Sequence, residues 1–277
     1  MSLMKIGAST LFDVSDQVKS VDKLRDLSIY EIEICLPTIS VPIGRLESIS
    51  QDTVKQLRKF EDCKFSVHTP FLCDDLGHPD SEIRKIQVER VIKTVDLTHQ
   101  IGGSLLNVHA GYATYDHYFA LVEIFNKYRI PREKYLGWVV NSLEEIQKHA
   151  GGKGVLVSVE NLGPDHLGRS PQEIKHILSK SNNRIGFTLD VGHANLTGNL
   201  WGYLRDLGKQ ISHVHLHDND GKEDRHWRLG KGDLDLDKLL ECLHQIRYKG
   251  NLVLEMNYVE DVKYSKALVE DKIRHIL

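Results

Sequence analysis

The stretch His213–Gly232, HVHLHDNDGKEDRHWRLGKG, decides how the chain is read. It opens as a strand, with Val214 and Leu216 directed to one face and His213, His215 and His217 to the other. It closes in a polar loop where Asp224 and His226 stand two residues apart. Three metal-capable side chains, His215, Asp224 and His226, therefore leave one strand end together. A lone strand histidine is ordinarily a hydrogen-bonded structural residue. Here that reading weakens, because residues of the same chemistry recur at other strand ends.

Outward from this stretch, one unit repeats: a short apolar strand, a polar loop, an amphipathic helix. The pattern predicts strands at Met4–Ser9, Tyr30–Cys35, Lys64–His68, Ser104–His109, Val155–Glu160, Ile185–Asp190, Ile211–His217 and Asn251–Met256. A helix is expected over Ser15–Leu27, with Val18, Val21, Leu24 and Leu27 on one face. Others are expected near Gln51–Phe60 and over Asp80–Ile101, the latter with Ile83, Ile86, Val91 and Val95 as core candidates and Gly102-Gly103 as its stop. Further helices fall at Leu136–Ala150, at Pro171–Lys180 behind a Ser170 cap, at Leu200–Gly208, at Asp235–Arg247 and from Val262 onward. The excursion Tyr112–Tyr135 carries Tyr112, Tyr115, His117, Tyr118 and Phe119. Those aromatics read equally as a lid over a ligand or as packing against helices.

Strands alternating with helices imply parallel pairing through right-handed crossovers. Eight such units close most simply into a single (β/α)8 TIM barrel, an α/β fold, taken as one domain over residues 1–277. An open doubly wound sheet would carry a glycine-rich loop after the first strand. This chain has Thr10-Leu11-Phe12-Asp13 there.

The 277 residues are 40% hydrophobic and 27% charged, enough for one sizeable core, and the net charge of -3 offers no broad basic field for nucleic acid. No apolar run is long enough to span a bilayer, and no secretory segment is evident. Cys35, Cys63, Cys73 and Cys242 form no CxxC pair and lie beside apolar runs. Reduced thiols in a cytoplasmic protein are expected. An oligomer is left open.

In such a barrel the active site lies at the C-terminal ends of the strands. Those ends supply His68, His109, Glu160, Asp190 with His193, His215 with Asp224 and His226, and Glu255. Ionised carboxylates inside a barrel are costly unless paired or metal-bound, and no strand offers a Lys or Arg at that level. Imidazoles and carboxylates without thiolates favour zinc first, then Mn, Fe(II) or Co. One to three divalent ions per chain are expected, since one ion uses four to six ligands. Glu160, Asp190, His215 and Glu255 suit a central ion, His68 and His109 a second with Glu160, and His193, Asp224 and His226 a third.

The ordered segments SVHTPF, LNVHAG, SVENL, TLDVGHAN, HVHLHDNDG, HWRLGKGDLDL and LVLEMN resemble the xylose-isomerase-like barrel superfamily over nearly the whole chain. That group holds sugar and sugar-phosphate isomerases and epimerases and the endonuclease IV type of AP endonuclease. The resemblance to the epimerases implies a single metal on Glu160, Asp190, His215 and Glu255, with Glu160 and Glu255 moving the proton. The resemblance to the endonuclease implies three zinc ions on all nine side chains, and the stretch from His68-Thr-Pro to Leu76-Gly-His-Pro is similar to its pattern. Two segments, Asp190–His193 and Gly230–Asp235, are closer to the isomerase-type members. The epimerases' substrate-binding arginine has no match, because Gly221 stands at about that place.

The loops near this mouth read as mixed or acidic: Asp74, Asp75, Asp80, Glu82, Asp218, Asp220 and Glu223, with Lys222, Arg225, Arg228 and Lys231 among them. That balance suits a small phosphate as well as DNA, which needs several phosphate contacts. Asn161 is a candidate for a substrate hydroxyl, and Trp227 for stacking on a sugar ring. Arg228 and Lys231 are candidates for a phosphate, and Phe71, with Leu72, for lining the pocket or wedging into bases. The expected function is a metal-dependent sugar or sugar-phosphate isomerase or epimerase with Glu160 and Glu255 as catalytic carboxylates. The alternative is a zinc-dependent phosphodiesterase acting at abasic sites in DNA. A catalytically silent barrel is a third reading. The expected partner is a small sugar, with DNA only under the alternative, and no membrane.

Overall fold

A computed structural model describes residues 4–36, 49–70, 75–112, 130–182 and 184–276. Eight parallel strands close a barrel in sequential order: β1 Lys5–Ser9, β2 Glu31–Cys35, β3 Lys64–His68, β4 Leu105–Val108, β5 Leu156–Glu160, β6 Gly186–Asp190, β7 Ile211–Leu216 and β8 Asn251–Leu254. The described helices are α1 Gln17–Asp26, α2 Gln51–Leu57, α3 Ser81–Gln100, α4 Arg132–Gly151, α5 Pro171–Lys180, α6 Val191–Leu196, α7 Leu200–Leu207, α8 Leu236–Gln245 and α9 Val259–Ile276. The expected single (β/α)8 TIM barrel is the observed architecture. Among the described residues no helix is long and apolar enough to cross a membrane.

Strand alternation divides the barrel wall into two surfaces. Ile32, Ile34, Val67, Leu106, Val108, Val157, Val159, Phe187, Leu189, Val214, Leu216, Leu252 and Leu254 join the apolar cluster that also takes in the helices. The alternate positions are polar and buried: Glu33, Ser66, Asn107, Ser158, Thr188 and His213. Several bond across strands: Ser66 donates to Glu33 at 3.2 Å and Ser158 is bonded to Thr188 at 2.7 Å. A barrel lumen is usually filled by branched apolar side chains. This one carries a hydrogen-bonded polar layer beneath its mouth.

Helix termini follow their side-chain chemistry. Ser170 accepts the Glu173 N–H ahead of Pro171, as expected. Gly102, at φ 81°, ends α3 in a left-handed turn that a glycine adopts without strain. Two expected core residues of α3 are corrected: Ile83 and Ile86 are 41% and 49% exposed. The buried stripe of α3 runs through Gln87, Val88, Val91, Thr94, Val95 and Thr98, and both isoleucines lie off it. Helix α6, absent from the helices expected from the sequence, begins directly after β6. Its six residues are too few to show a helical period. Phe71, Leu72, Cys73 and Asp74 lie outside the described residues, as do Tyr115, His117, Tyr118 and Phe119 of the suggested lid. Tyr112 pairs in an isolated bridge with His166, its ring 4.8 Å from that imidazole.

Candidate metal centre at the barrel mouth

The nine side chains singled out at the strand ends come together at one end of the barrel. At their centre is His215, with no exposed surface. Its Nδ1 lies 3.3 Å from Glu255 Oε2, 3.5 Å from Glu160 Oε1 and 3.7 Å from Asp190 Oδ2. None of these is aligned as a hydrogen bond, so this buried nitrogen has no hydrogen-bond partner. Donors sharing one tetrahedral ion at about 2.1 Å stand about 3.4 Å apart. The spacing around His215 is therefore that of a coordination sphere.

Two further groups adjoin it. Glu160 Oε2 stands 3.4 Å from His68 Nε2 and 3.5 Å from His109 Nε2, and accepts from the Asn107 amide. Asp224 Oδ2 stands 3.2 Å from both His193 Nε2 and His226 Nε2. Asp190, closing β6, caps α6 by accepting the His193 N–H at 2.6 Å, which fixes where His193 emerges. His226 is held at φ 46°, a left-handed conformation that a non-glycine residue adopts at a cost of about 1–3 kcal/mol.

The ring tautomers follow from the partners of the other nitrogens. Nδ1 lies 2.8 Å from the Thr69 carbonyl in His68, 3.1 Å from the Asn161 carbonyl in His193 and 3.0 Å from the Glu255 carbonyl in His226. Donating Nδ1–H to those carbonyls leaves each Nε2 lone pair facing the carboxylates. Metal-ligating histidines are pinned in this way. The donor set and the tautomers fit divalent ions.

Without an ion, protons take its place. Burial alone would lower the imidazoles. Glu160 instead raises His68 to about 10, and Asp224 with Glu255 raises His226 to about 9. His193 and His215 are likewise raised well above the ordinary imidazole value. Burial alone would raise Glu160, but His215, His109 and His193 hold it well below the usual carboxylate range. Asp190 and Asp224 are lowered for the same reason.

Sequence reasoning missed three participants: Glu33, Asn107 and His217. Glu33, fully buried on β2, has Oε2 2.9 Å from His213 Nε2 and Oε1 2.9 Å from His215 Nε2. Asn107 grips Glu160 from β4. His217, with no exposed surface, has Nε2 3.2 Å from Asp190 and 3.9 Å from Asp224. The signal for Glu33 was a charged residue at the centre of the strand EIEIC, between two isoleucines. Attention to strand ends passed over it.

The substrate-contact assignments fare differently. Asn161 is corrected. It is fully buried, its amide donates to the Asp190 carbonyl at 2.8 Å and its carbonyl accepts the Asp190 N–H at 2.9 Å, so it braces β6 and is turned away from the open mouth. Trp227 is half-buried, with Lys231 Nζ 4.6 Å from its ring centre. Arg228 lies 4.2 Å from the ring centre of Tyr264 on α9. Phe71 lies outside the described residues. Several carboxylates of the acidic loops have a structural use. Asp218 is buried and accepts the N–H groups of Asn219, Gly230, Gly232 and Leu234. Asp80 caps α3, and Asp75 accepts the Tyr112 N–H at 3.2 Å. These carboxylates hold backbone in place.

Comparison with known proteins identifies the family. An uncharacterized protein of Methanocaldococcus jannaschii is 27% identical over 97% of this chain and 89% of its own length. A solved D-tagatose 3-epimerase-like protein is 26% identical, with a TM-score of 0.82 over 99% of this chain and 98% of that one. A probable endonuclease 4 of Campylobacter concisus is 25% identical over 61% of each chain. The profile of one family covers residues 21–276, and the chain belongs to it: the xylose isomerase-like TIM barrels.

Proposed function

We propose that the chain is a divalent-metal-dependent isomerase or epimerase of a sugar or sugar phosphate. The observation that carries this reading is the pair Glu160 and Glu255, two buried carboxylates that reach the same nitrogen of His215 from nearly opposite walls of the barrel. Isomerisation and epimerisation beside a carbonyl both need a proton taken from carbon and returned to carbon or oxygen. Two carboxylates from opposite walls serve the two faces of that carbon. Glu255 is the freer of the two, facing His215 at 3.3 Å and His226 at 4.0 Å. Glu160 is gripped by Asn107, His68, His109 and His193. Glu255 is therefore the first proton acceptor, and Glu160 acts from the opposite face. Glu160, Asp190, His215 and Glu255 would hold the central ion. A bound divalent ion supplies Lewis-acid polarisation of the substrate's carbonyl and neighbouring hydroxyl oxygens. The likeness to a D-tagatose 3-epimerase-like protein supports a ketose substrate.

A second reading rests on a separate observation. His193, Asp224 and His226 are assembled beside the inner set, with His68 and His109 on Glu160, giving more donors than one ion uses. A cluster of ions suits phosphodiester cleavage at abasic sites in DNA, and a relative named a probable endonuclease 4 supports it.

One preparation tests both: metal content by plasma emission, a ketose panel in deuterated water, and nicking of an abasic-site duplex. The sugar reading expects solvent deuterium at a substrate carbon, abolished by Glu255→Gln, and no nicking. Nicking that disappears in Glu160→Gln, with no exchange into any ketose, overturns it in favour of the second reading.

A further inference from the structure

We infer that His217 is a fourth protein ligand of the outer ion, joining His193, Asp224 and His226. The inference rests on the reading of this mouth as a divalent-metal centre. One donor atom from each of the four side chains lies within 4.8 Å of all the others. Asp224 stands at the middle, 3.2 Å from His193 and His226 and 3.9 Å from His217.

The surroundings of His217 explain why it is there. The ring is fully buried, and its Nδ1 has no hydrogen-bond partner. It lies stacked on His226, the ring centres 4.0 Å apart and the planes within 14°. The stack sets the His217 ring beside a residue already placed at the outer site. The nitrogen that faces the site is Nε2, 3.2 Å from Asp190 Oδ2 and 3.9 Å from Asp224 Oδ1. The chain also makes room for the ring. A Cβ at Gly192 would fall 1.9 Å from His217 Cε1, so the first turn of α6 accepts the imidazole only because residue 192 is glycine.

The consequence is a division of labour. An ion with four protein donors occupies a closed site of the structural kind, whereas three donors leave a position for water or substrate. His217 closes the outer site. Substrate then meets the ion held by Glu160, Asp190, His215 and Glu255, and the outer ion fixes the loop that bears Asp224 and His226.

The test is cobalt(II) titration of chelator-treated, refilled protein, read by metal content and by the visible absorption of four-coordinate cobalt. Wild type, His217→Asn, Gly192→Ala and Glu255→Gln are compared, with circular dichroism as the check on folding. Wild type is expected to take up at least two ions. His217→Asn should bind the outer ion at least about 100-fold more weakly and lose its absorption band, while keeping the inner ion. Gly192→Ala, which displaces the ring but leaves every donor in the chain, should weaken the same ion. Glu255→Gln should leave the outer band intact. A His217→Asn protein that fills both sites with unchanged affinity and spectrum overturns the assignment. Should that variant not fold, Gly192→Ala binding like wild type overturns it. Wild type that takes up no cobalt overturns both this inference and the metal reading it rests on. Two ions in wild type with an unchanged His217→Asn overturn this inference alone.

Discussion

Replacing Glu33 by glutamine tests whether the polar lumen supports the mouth. The carboxylate has no exposed surface; His213 Nε2 at 2.9 Å and Ser66 Oγ at 3.2 Å are hydrogen-bonded to its Oε2, and His215 Nε2 stands 2.9 Å from Oε1 as an ion-pair contact. Burial alone would raise its pKa. His215 and His213 overcome that and hold it well below the ordinary carboxylate range, so it is an anion at neutral pH. Glutamine keeps the shape but turns one of the two acceptors into a donor. That donor then faces an imidazole N–H, and one of the two charge-assisted contacts is lost. Such contacts contribute about 1.5–3 kcal/mol each, and an orphaned buried donor costs about 1–3 kcal/mol more. A net loss of about 3 kcal/mol lowers the thermal midpoint of a chain this size by about 6–12 °C. The same change frees His215 to turn. Loss of an outer partner of a metal-ligating histidine weakens metal binding about 10–100-fold. The assays are a scanning melt of the metal-free protein and a competition titration with a zinc chelator. A midpoint within 1 °C of wild type (against the ~6 °C expected), together with unchanged zinc affinity, would refute the reasoning. A lowered midpoint with unchanged affinity would leave Glu33 a stabilising residue that does not position His215.

Other perturbations have equally definite outcomes. In the metal-free protein His68 and His226 are raised to about 10 and about 9. A raised imidazole contributes stability in full below its unfolded value of about 6.5, and that stability is lost as pH climbs through the folded value. Melts of stripped protein should therefore fall between pH 6.5 and about 10. Zinc affinity should rise over the same window, since each ion displaces protons; calorimetry in buffers of different ionisation enthalpy counts them, and a count of zero contradicts the assignment. Asp218→Ala removes the acceptor for four backbone N–H groups of the loop after β7. Even with relaxation, a loss of several kcal/mol is expected at about 1–3 kcal/mol per unsatisfied group. Limited proteolysis should then cut between residues 219 and 235, and resistance there equal to wild type would sink the account.

The barrel was legible because its signal is redundant. Each strand of four to six residues is weak by itself, but eight in alternation with helices leave few ways to fold. The strand-end residues were legible for a related reason: topology alone sends the C-terminal ends of parallel barrel strands to one face. What the sequence hid was direction within a strand and the use to which a polar side chain is put. Glu33 stands at the centre of β2, where an acid reads as an anomaly until the histidines of β7 are known to face it across the closed barrel. Asn161 follows a catalytic candidate directly, which invites a substrate role, yet the pleat turns it toward the backbone of Asp190. Asp75, Asp80 and Asp218 counted toward the acidic side of loops read as mixed or acidic, and each accepts backbone N–H. That last point bears on function. A carboxylate bonded to several N–H groups has much of its field offset where it stands, so formal loop charge overstates the repulsion an incoming phosphate meets. The formal net charge of -3 is therefore a weaker argument against a phosphorylated ligand than it is against a long nucleic-acid track. The charge balance leaves a phosphorylated ketose as open as a neutral one, with Lys222, Arg225, Arg228 and Lys231 exposed on the segment after β7.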